Sequence, residues 1–252
     1  MIKNRIFALI WRVIGAALGI MGLVFQWKSG LGFMHSSMLV FFTVQTNIFT
    51  TVLFGILAAM TAVQLIKKQG NRGDAAHIPY SAQLAFTFYI TITFAVYWTL
   101  LSWQNYGNIG GGVNAAMSIA SNYILHGVVP LWAIGDWIMF MPHGKIKRSK
   151  LNAAIWLSYP LLYFIFVAIR AAVGGPLYTL GGVDMYYPYV FLEPAILGSA
   201  WLLIPVVLAL SLAFWGSGIL YIFCDKKLGK AYDKKHPAES GEDANDAIAE
   251  IE

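Results

Sequence analysis

The sequence predicts an all-α, polytopic membrane protein with six transmembrane helices and both termini cytoplasmic. Three observations carry this prediction. The 252 residues are 58% hydrophobic and only 12% charged, and the mean hydropathy is +0.64, which excludes an ordinary soluble domain. Six apolar runs reach the roughly 20 residues that a helix needs to cross a bilayer. The basic residues collect in alternate connections, as they do on the cytoplasmic side of a membrane.

The apolar runs give approximate bounds for the six spans. They are 6–26, 38–66, 82–103, 115–140, 151–173 and 197–223. The first run is too long for a signal peptide, and no small-residue cleavage site follows it. We therefore divide the chain into a six-helix transmembrane domain, 1–224, and a C-terminal part, 225–252. That part begins with a basic segment, expected on lipid headgroups, and ends in an acidic tail that we expect to be disordered.

Orientation follows from the basic residues. All but Lys28 and Arg170 of the 17 lie before or at the start of the first span, in the second and fourth connections, or after the sixth span. The positive-inside rule then predicts a multi-pass protein of the cell membrane with both termini inside. The net charge of +5 maps to one side of a membrane, so we expect membrane lipids as partners and no nucleic acid. The oligomeric state is left open.

The connections predicted outside the cell differ in composition. The stretches 105–113 and 174–194 are rich in glycine, aromatic and neutral polar residues. Such segments turn easily and bring tyrosine rings to the membrane interface. The second stretch either caps a cavity or serves only as an interfacial anchor.

The fourth span contains the stretch Asn122-Tyr-Ile-Leu-His126-Gly-Val-Val-Pro130. A histidine at membrane depth is costly unless it faces protein or water, so it indicates a functional site. Pro130 has no N–H to donate to the carbonyl of His126, four residues earlier. That carbonyl needs another partner, which indicates a packed or wet pocket. Asn122 and His126 share one helix face.

The second span carries a matching polar face made of Thr43, Thr46, Asn47 and Thr50, at offsets of three, four and seven residues. Threonine hydroxyls commonly bond to their own helix backbone, and for Thr46 and Thr50 this structural role is the favoured interpretation. At a rise of about 1.5 Å per residue, this face lies roughly 8 to 18 Å deep and the Asn122–His126 pair roughly 10 to 17 Å deep. We expect the two faces to meet.

Charged residues fall at both ends of the spans. Arg170 and Glu193 lie on the outer side, where they either pair with each other or Arg170 holds a lipid carboxylate. Asp136 and Arg12 lie toward the cytoplasm, and because Arg12 can extend its head group to the inner interface, a mainly structural role is favoured for it. The five histidines lack the spacing of metal ligands, and no nucleotide-binding or nucleophile-elbow motif occurs. We expect no metal and no cofactor.

A resemblance rests on three short motifs in order: Phe41-Phe-Thr43 on the second span, His126 ahead of Pro130 on the fourth, and Tyr187-Pro188 followed by Phe191-Leu192-Glu193 ahead of the sixth. In this order they resemble the androgen-induced-protein/FAR-17a-like family of six-helix membrane proteins, which includes threonine hydrolases of fatty acid esters of hydroxy fatty acids. The present chain resembles a microbial member. It lacks the second histidine of the animal hydrolases and carries two extra residues after Tyr187-Pro188.

The resemblance implies that Thr43 is a nucleophile and His126 its catalytic histidine. Asn122 would orient the imidazole or donate to an oxyanion, and Asn47, Thr46, Arg170 and Glu193 would bind substrate or support the site. One hypothesis is therefore a threonine-nucleophile hydrolase of lipid esters. An alternative is a non-enzymatic binder or transporter of an amphiphile or small solute, and a third is a scaffold whose polar groups are all satisfied and which has no open cavity.

Overall fold

The computed structural model describes residues 1–29, 37–67, 70–102 and 113–236, except for the side chains of residues 113 and 114. The outer stretch at 105–112, the acidic tail and His35 lie outside these residues. The helices are α1 (Arg5–Lys28), α2 (Phe42–Ile66), α3 (Tyr80–Val96), α4 (Val113–Tyr123), α5 (Val129–Phe140), α6 (Ser149–Trp156), α7 (Ser158–Val173), α8 (Pro194–Leu197) and α9 (Leu203–Lys235).

These helices form six apolar spans. Two wide helical turns of the π type, Tyr97–Leu101 and Ile124–Val128, extend α3 and join α4 to α5. Helices α6 and α7 follow one another through Leu157 and form the fifth span. Among the described residues, six stretches are long and apolar enough to cross a membrane, which confirms the all-α polytopic fold. The side of the membrane that each terminus faces stays a prediction.

The sixth span differs from its predicted bounds of 197–223. The short helix α8 ends at Gly198, whose φ of +87° is the left-handed conformation that glycine adopts at helix ends. Ser199 then accepts a hydrogen bond from Trp201 N–H and starts a new helical turn, so the long helix α9 begins only at Leu203. It continues without a break to Lys235, and the boundary drawn at residue 224 falls inside it.

Small residues bring α1 close to the helices that carry the polar faces. A Cβ atom added to Gly19 would lie 2.0 Å from Thr51 Oγ1 of α2, and one added to Gly22 would lie 2.6 Å from Leu125 Cδ2. Glycine at these positions therefore permits the close helix approach that is typical of membrane proteins. The contact at Leu125 supports the wide turn that holds His126.

Backbone contacts define the two ends of the bundle. At one end, Ile2 N–H donates to Met139 O and Arg5 N–H donates to Asn71 O. We call this end the terminal face. The opposite end, the loop face, carries Val40 and the two-stranded antiparallel hairpin of β1 (Tyr178–Leu180) and β2 (Val183–Met185). Each face has its own buried polar cluster.

Candidate functional site

The wide turn at Ile124–Val128 shapes the candidate site. At its end, Val129 N–H bonds to Ile124 O, five residues earlier, so the carbonyl of Leu125 receives no helical hydrogen bond from Val129. Pro130 has no N–H, and the carbonyl of His126 is released as well. Two consecutive carbonyls therefore face other helices within an apolar bundle, where each needs a donor.

Side chains from two neighbouring spans supply these donors. Asn47 Nδ2 of α2 donates to Leu125 O at 3.0 Å, and Trp98 Nε1 donates to His126 O at 2.9 Å. The expectation that the carbonyl of His126 needs a partner from outside its helix is thus met by Trp98. Wide turns of this kind recur at functional sites because they turn one side chain away from the regular helix register.

The His126 side chain faces Thr43 across the bundle. Thr43 Oγ1 lies 3.2 Å from His126 Nε2, and His126 Nδ1 lies 3.0 Å from the backbone carbonyl of Asn122. A carbonyl only accepts, so Nδ1 carries the proton and Nε2 of the neutral ring is left as an acceptor. The Thr43 hydroxyl then donates to Nε2, which is the arrangement of a nucleophile and its base.

The imidazole is held on its flat side as well. The Tyr97 ring stacks on His126 with the ring centroids 3.8 Å apart and the planes 20° from parallel. Tyr97 belongs to the other wide turn, so both stacked rings come from irregular helical segments. The ring has one fixed tautomer and one fixed orientation.

Thr43 lies in the first turn of α2, where backbone N–H groups have no partner in their own helix. Phe42 N–H donates to the hydroxyl of Tyr163 at 3.1 Å, and Thr43 N–H approaches the hydroxyl of Tyr189 at 3.5 Å. Burial raises the pKa of the Tyr189 phenol above its usual value, so this hydroxyl stays protonated. The helix end directs its positive dipole toward the Thr43 hydroxyl.

A largely apolar cavity of about 80 Å³ begins at Thr43. Its lining comes mainly from α3 with its wide turn, α7, α9 and the loop-face segment 189–192. Leu161 of α7, which lines the cavity, is 40% exposed, so part of the lining lies at the lipid-facing surface. The lining residues are Phe42, Thr43, Ile92, Thr93, Val96, Tyr97, Leu101, Pro160, Leu161, Tyr163, Phe164, Tyr189, Phe191, Leu192, Val207, Leu210, Ser211 and Phe214.

The supporting residues predicted on α2 and α4 take different positions. Asn47 donates to Thr43 O as well as to Leu125 O and joins the two polar faces. Its Oδ1 is buried without a partner among the described residues. Thr46 bonds to Phe42 O of its own helix and to the Thr93 hydroxyl, in agreement with the structural interpretation. Asn122 orients His126 through its backbone carbonyl, not through its side-chain amide.

The charged residues Arg170 and Glu193 organise the loop face and do not touch the Thr43–His126 pair. Arg170 Nη1 donates to Gly175 O at 2.7 Å and to Tyr186 O at 3.4 Å. Glu193 is buried and its Oε2 accepts from the N–H groups of Tyr186 and Tyr187 at 2.7 and 3.0 Å. Both residues therefore bind the backbone of the same segment, and no ion pair between them occurs among the described residues.

A second buried polar cluster lies toward the terminal face. Arg12 is fully buried rather than extended to the interface, because Asp136 lies at the same depth. Arg12 Nε donates to Asp136 Oδ1 at 3.0 Å, and Nη1 donates to Thr61 Oγ1 and to Ala76 O. The expectation of an interfacial Arg12 is wrong, and the three groups that it contacts support a structural role for it.

Sequence reasoning missed the aromatic partners of the site, Tyr97, Trp98, Tyr163 and Tyr189. Aromatic residues are common throughout these spans, so no spacing distinguishes them. It also missed Asp225, which accepts from Trp137 Nε1 and Gly144 N–H and fixes α9 to the terminal face. The only available signal for Asp225 was an acidic residue at the end of an otherwise apolar run.

Comparison of the chain with protein-family models, with curated proteins and with solved structures returns no match. Within the described ranges, no three His, Cys, Asp or Glu side chains come together as metal ligands.

Proposed function

We propose that this chain is a membrane-embedded hydrolase of lipid esters, with Thr43 as nucleophile and His126 as general base and then general acid. The observation that carries the proposal is the 3.2 Å contact between Thr43 Oγ1 and His126 Nε2. The bond from Nδ1 to Asn122 O leaves Nε2 free to accept the threonine proton.

Thr43, His126 and one water molecule are sufficient for the complete hydrolysis of an ester. Thr43 Oγ attacks the ester carbonyl carbon while its proton passes to His126 Nε2, and a tetrahedral oxyanion forms. The C–O bond to the alcohol then breaks, and His126 returns the proton to the leaving oxygen. Water attacks the acyl-threonine with His126 as base, which releases the carboxylic acid and restores Thr43.

The substrate class follows from the surroundings of Thr43. The cavity beside the hydroxyl is lined mostly by aliphatic and aromatic side chains, which suit an acyl chain. Leu161 at the lipid-facing surface would let a substrate dissolved in the bilayer reach the cavity. A hydrolase of lipid esters is also what the resemblance to the androgen-induced-protein family implies. We place the protein in the cell membrane, with both termini cytoplasmic and membrane lipids as its surroundings.

The test is ester hydrolysis by the purified protein in lipid nanodiscs. The substrates are p-nitrophenyl esters of increasing chain length and a fatty acid ester of a hydroxy fatty acid. Thr43→Ala and His126→Ala should each lower kcat by about a thousandfold or more, whereas Thr43→Ser keeps a hydroxyl and should retain activity. Thr87→Val is the matched control, because the Thr87 hydroxyl bonds only to its own helix at Gln83 O and does not line this cavity.

Two results would contradict the proposal. The first is a folded parent protein that cleaves none of these esters, and the second is a Thr43→Ala variant that cleaves as fast as the parent. Saturable binding of a fluorescent fatty acid without turnover would instead favour the alternative, a non-enzymatic binder of amphiphiles, which the same apolar lining supports. Transport through Asp136 is disfavoured because Arg12 already engages that carboxylate.

A further inference from the structure

Tyr189 lies beside Thr43 in the loop-face segment that precedes α8. Its ring stacks on Phe191 at 5.3 Å and meets the edge of Phe41 at 6.1 Å. Glu193 fixes the preceding backbone by accepting from the N–H groups of Tyr186 and Tyr187. The phenol is therefore fixed at the cavity wall, next to the start of α2.

A backbone contact fixes the position of the Tyr189 hydroxyl. Thr43 N–H can only donate, so the Tyr189 oxygen accepts from it at 3.5 Å. The Thr43 hydroxyl proton points to His126 Nε2. Tyr189 and Thr43 line the same cavity, so the phenolic O–H can reach an acceptor that binds beside the Thr43 hydroxyl.

The hydroxyl of the neighbouring Tyr163 bonds to backbone groups. Tyr163 donates to Val40 O at 2.9 Å and accepts from Phe42 N–H at 3.1 Å, so both its donor and an acceptor position are occupied by backbone. Of these two phenols, Tyr189 is thus the one whose proton has no backbone acceptor among the described residues. Its burial keeps that proton in place at neutral pH.

We propose that Tyr189 is the oxyanion-stabilising donor of this site, a role that rests on the hydrolase function proposed above. When Thr43 Oγ bonds to the ester carbon, its lone pair is used and its proton moves to His126. The Tyr189 O–H then donates to the carbonyl oxygen, which gains the electron pair of the broken C=O π bond. Tyr189 keeps its proton throughout, and the hydrogen bond is strongest when the charge is largest.

Tyr189→Phe removes only the hydroxyl and tests the role. With p-nitrophenyl octanoate in nanodiscs, kcat should fall about 100- to 1,000-fold, while KM changes less than about threefold, because the donor acts mainly on the transition state. A trifluoromethyl ketone that forms a tetrahedral adduct should bind about 100-fold more weakly to Tyr189→Phe than to the parent protein. An alkyl ether of the same chain length, which forms no adduct, should bind equally well to both proteins. Tyr186→Phe is the matched control, since this phenol lies in the same segment but its ring is 37% exposed.

The outcomes separate this inference from the proposed function. A parent that hydrolyses the ester together with a Tyr189→Phe variant of undiminished kcat overturns the role of Tyr189 and leaves the Thr43–His126 mechanism standing. A folded parent without any turnover overturns both. If Tyr189→Phe lowers the thermal stability and weakens the ether as much as the ketone, Tyr189 serves packing and the inference is wrong.

Discussion

The two buried polar clusters, one toward each face of the bundle, differ in their charge and in the cavity beside them. Toward the terminal face, Arg12 and Asp136 carry opposite charges, and Arg12 also engages the Thr61 hydroxyl and a backbone carbonyl. Toward the loop face, the Thr43 hydroxyl bonds to His126 Nε2 and Thr43 lines a largely apolar cavity of about 80 Å³, whereas the cavity that Asp136 lines measures only about 10 Å³. We therefore expect chemistry where a reactive atom also borders such a cavity, and a structural role where charged partners satisfy one another.

The difference predicts that the terminal-face cluster serves stability and the loop-face cluster serves reaction. Removal of one partner from a buried ion pair leaves the other charge unpaired, which is far more costly than loss of one neutral hydrogen bond. Thr43→Ala should accordingly inactivate the protein at nearly unchanged stability. The variants below test this division in order of their expected effect on the free energy of unfolding.

Asp136→Ala should lower the free energy of unfolding by about 3 to 5 kcal/mol, because Arg12 remains buried without its carboxylate. Thermal unfolding in detergent, followed by tryptophan fluorescence, measures the change. The double variant Arg12→Met/Asp136→Leu should recover most of the stability, since it removes both charges. If the single variant unfolds at the parent's temperature, the ion pair is not the structural element that we describe.

Asn47→Leu should cost about 2 kcal/mol, because the carbonyl of Leu125 loses its side-chain donor and the carbonyl of Thr43 keeps only its other donors, such as the Thr46 hydroxyl. This variant should affect both the stability of the bundle and the position of the wide turn that carries His126. We expect kcat to fall with the stability. Unfolding and hydrolysis assays on the same preparation test this, with Thr87→Val as the control. Stability loss without a change in kcat would show that the turn does not position His126.

Trp98→Phe should cost about 1 kcal/mol through loss of the indole N–H that binds His126 O. Trp132 offers a matched control, because its Nε1 donates to Trp11 O at the same 2.9 Å. Both Phe variants should lose similar stability, but only Trp98→Phe should lower kcat, by a few-fold. Equal kcat values for the two variants would contradict a link between Trp98 and His126.

The sequence was sufficient to predict the spans and the meeting of two polar faces, because both follow from the cost of polar groups in lipid and from the 3.6-residue helix period. Thr43 and His126 lie on these two faces, although only the resemblance singled them out as a pair, and the structure brings their reactive atoms within 3.2 Å. Their chemical roles stay predictions.

Other features depend on contacts that no local pattern encodes. The wide turns shift the register of Tyr97 and His126 by a fraction of a turn, and a regular helix period does not anticipate that shift. Tyr189 reaches Thr43 from a loop 146 residues away in sequence. The burial of Arg12 depends on Asp136, which lies on a distant helix at the same depth in the bundle. The sequence alone does not show that the two residues meet.

If His126 activates the Thr43 hydroxyl, an electrophile should capture that hydroxyl covalently. The protein in nanodiscs is treated with an alkyl fluorophosphonate, and its peptides are mapped by mass spectrometry. We expect a phosphonate ester on Thr43 Oγ with loss of fluoride, and no adduct in His126→Ala. No adduct on Thr43, or equal labelling of Thr43 in His126→Ala, would contradict this activation.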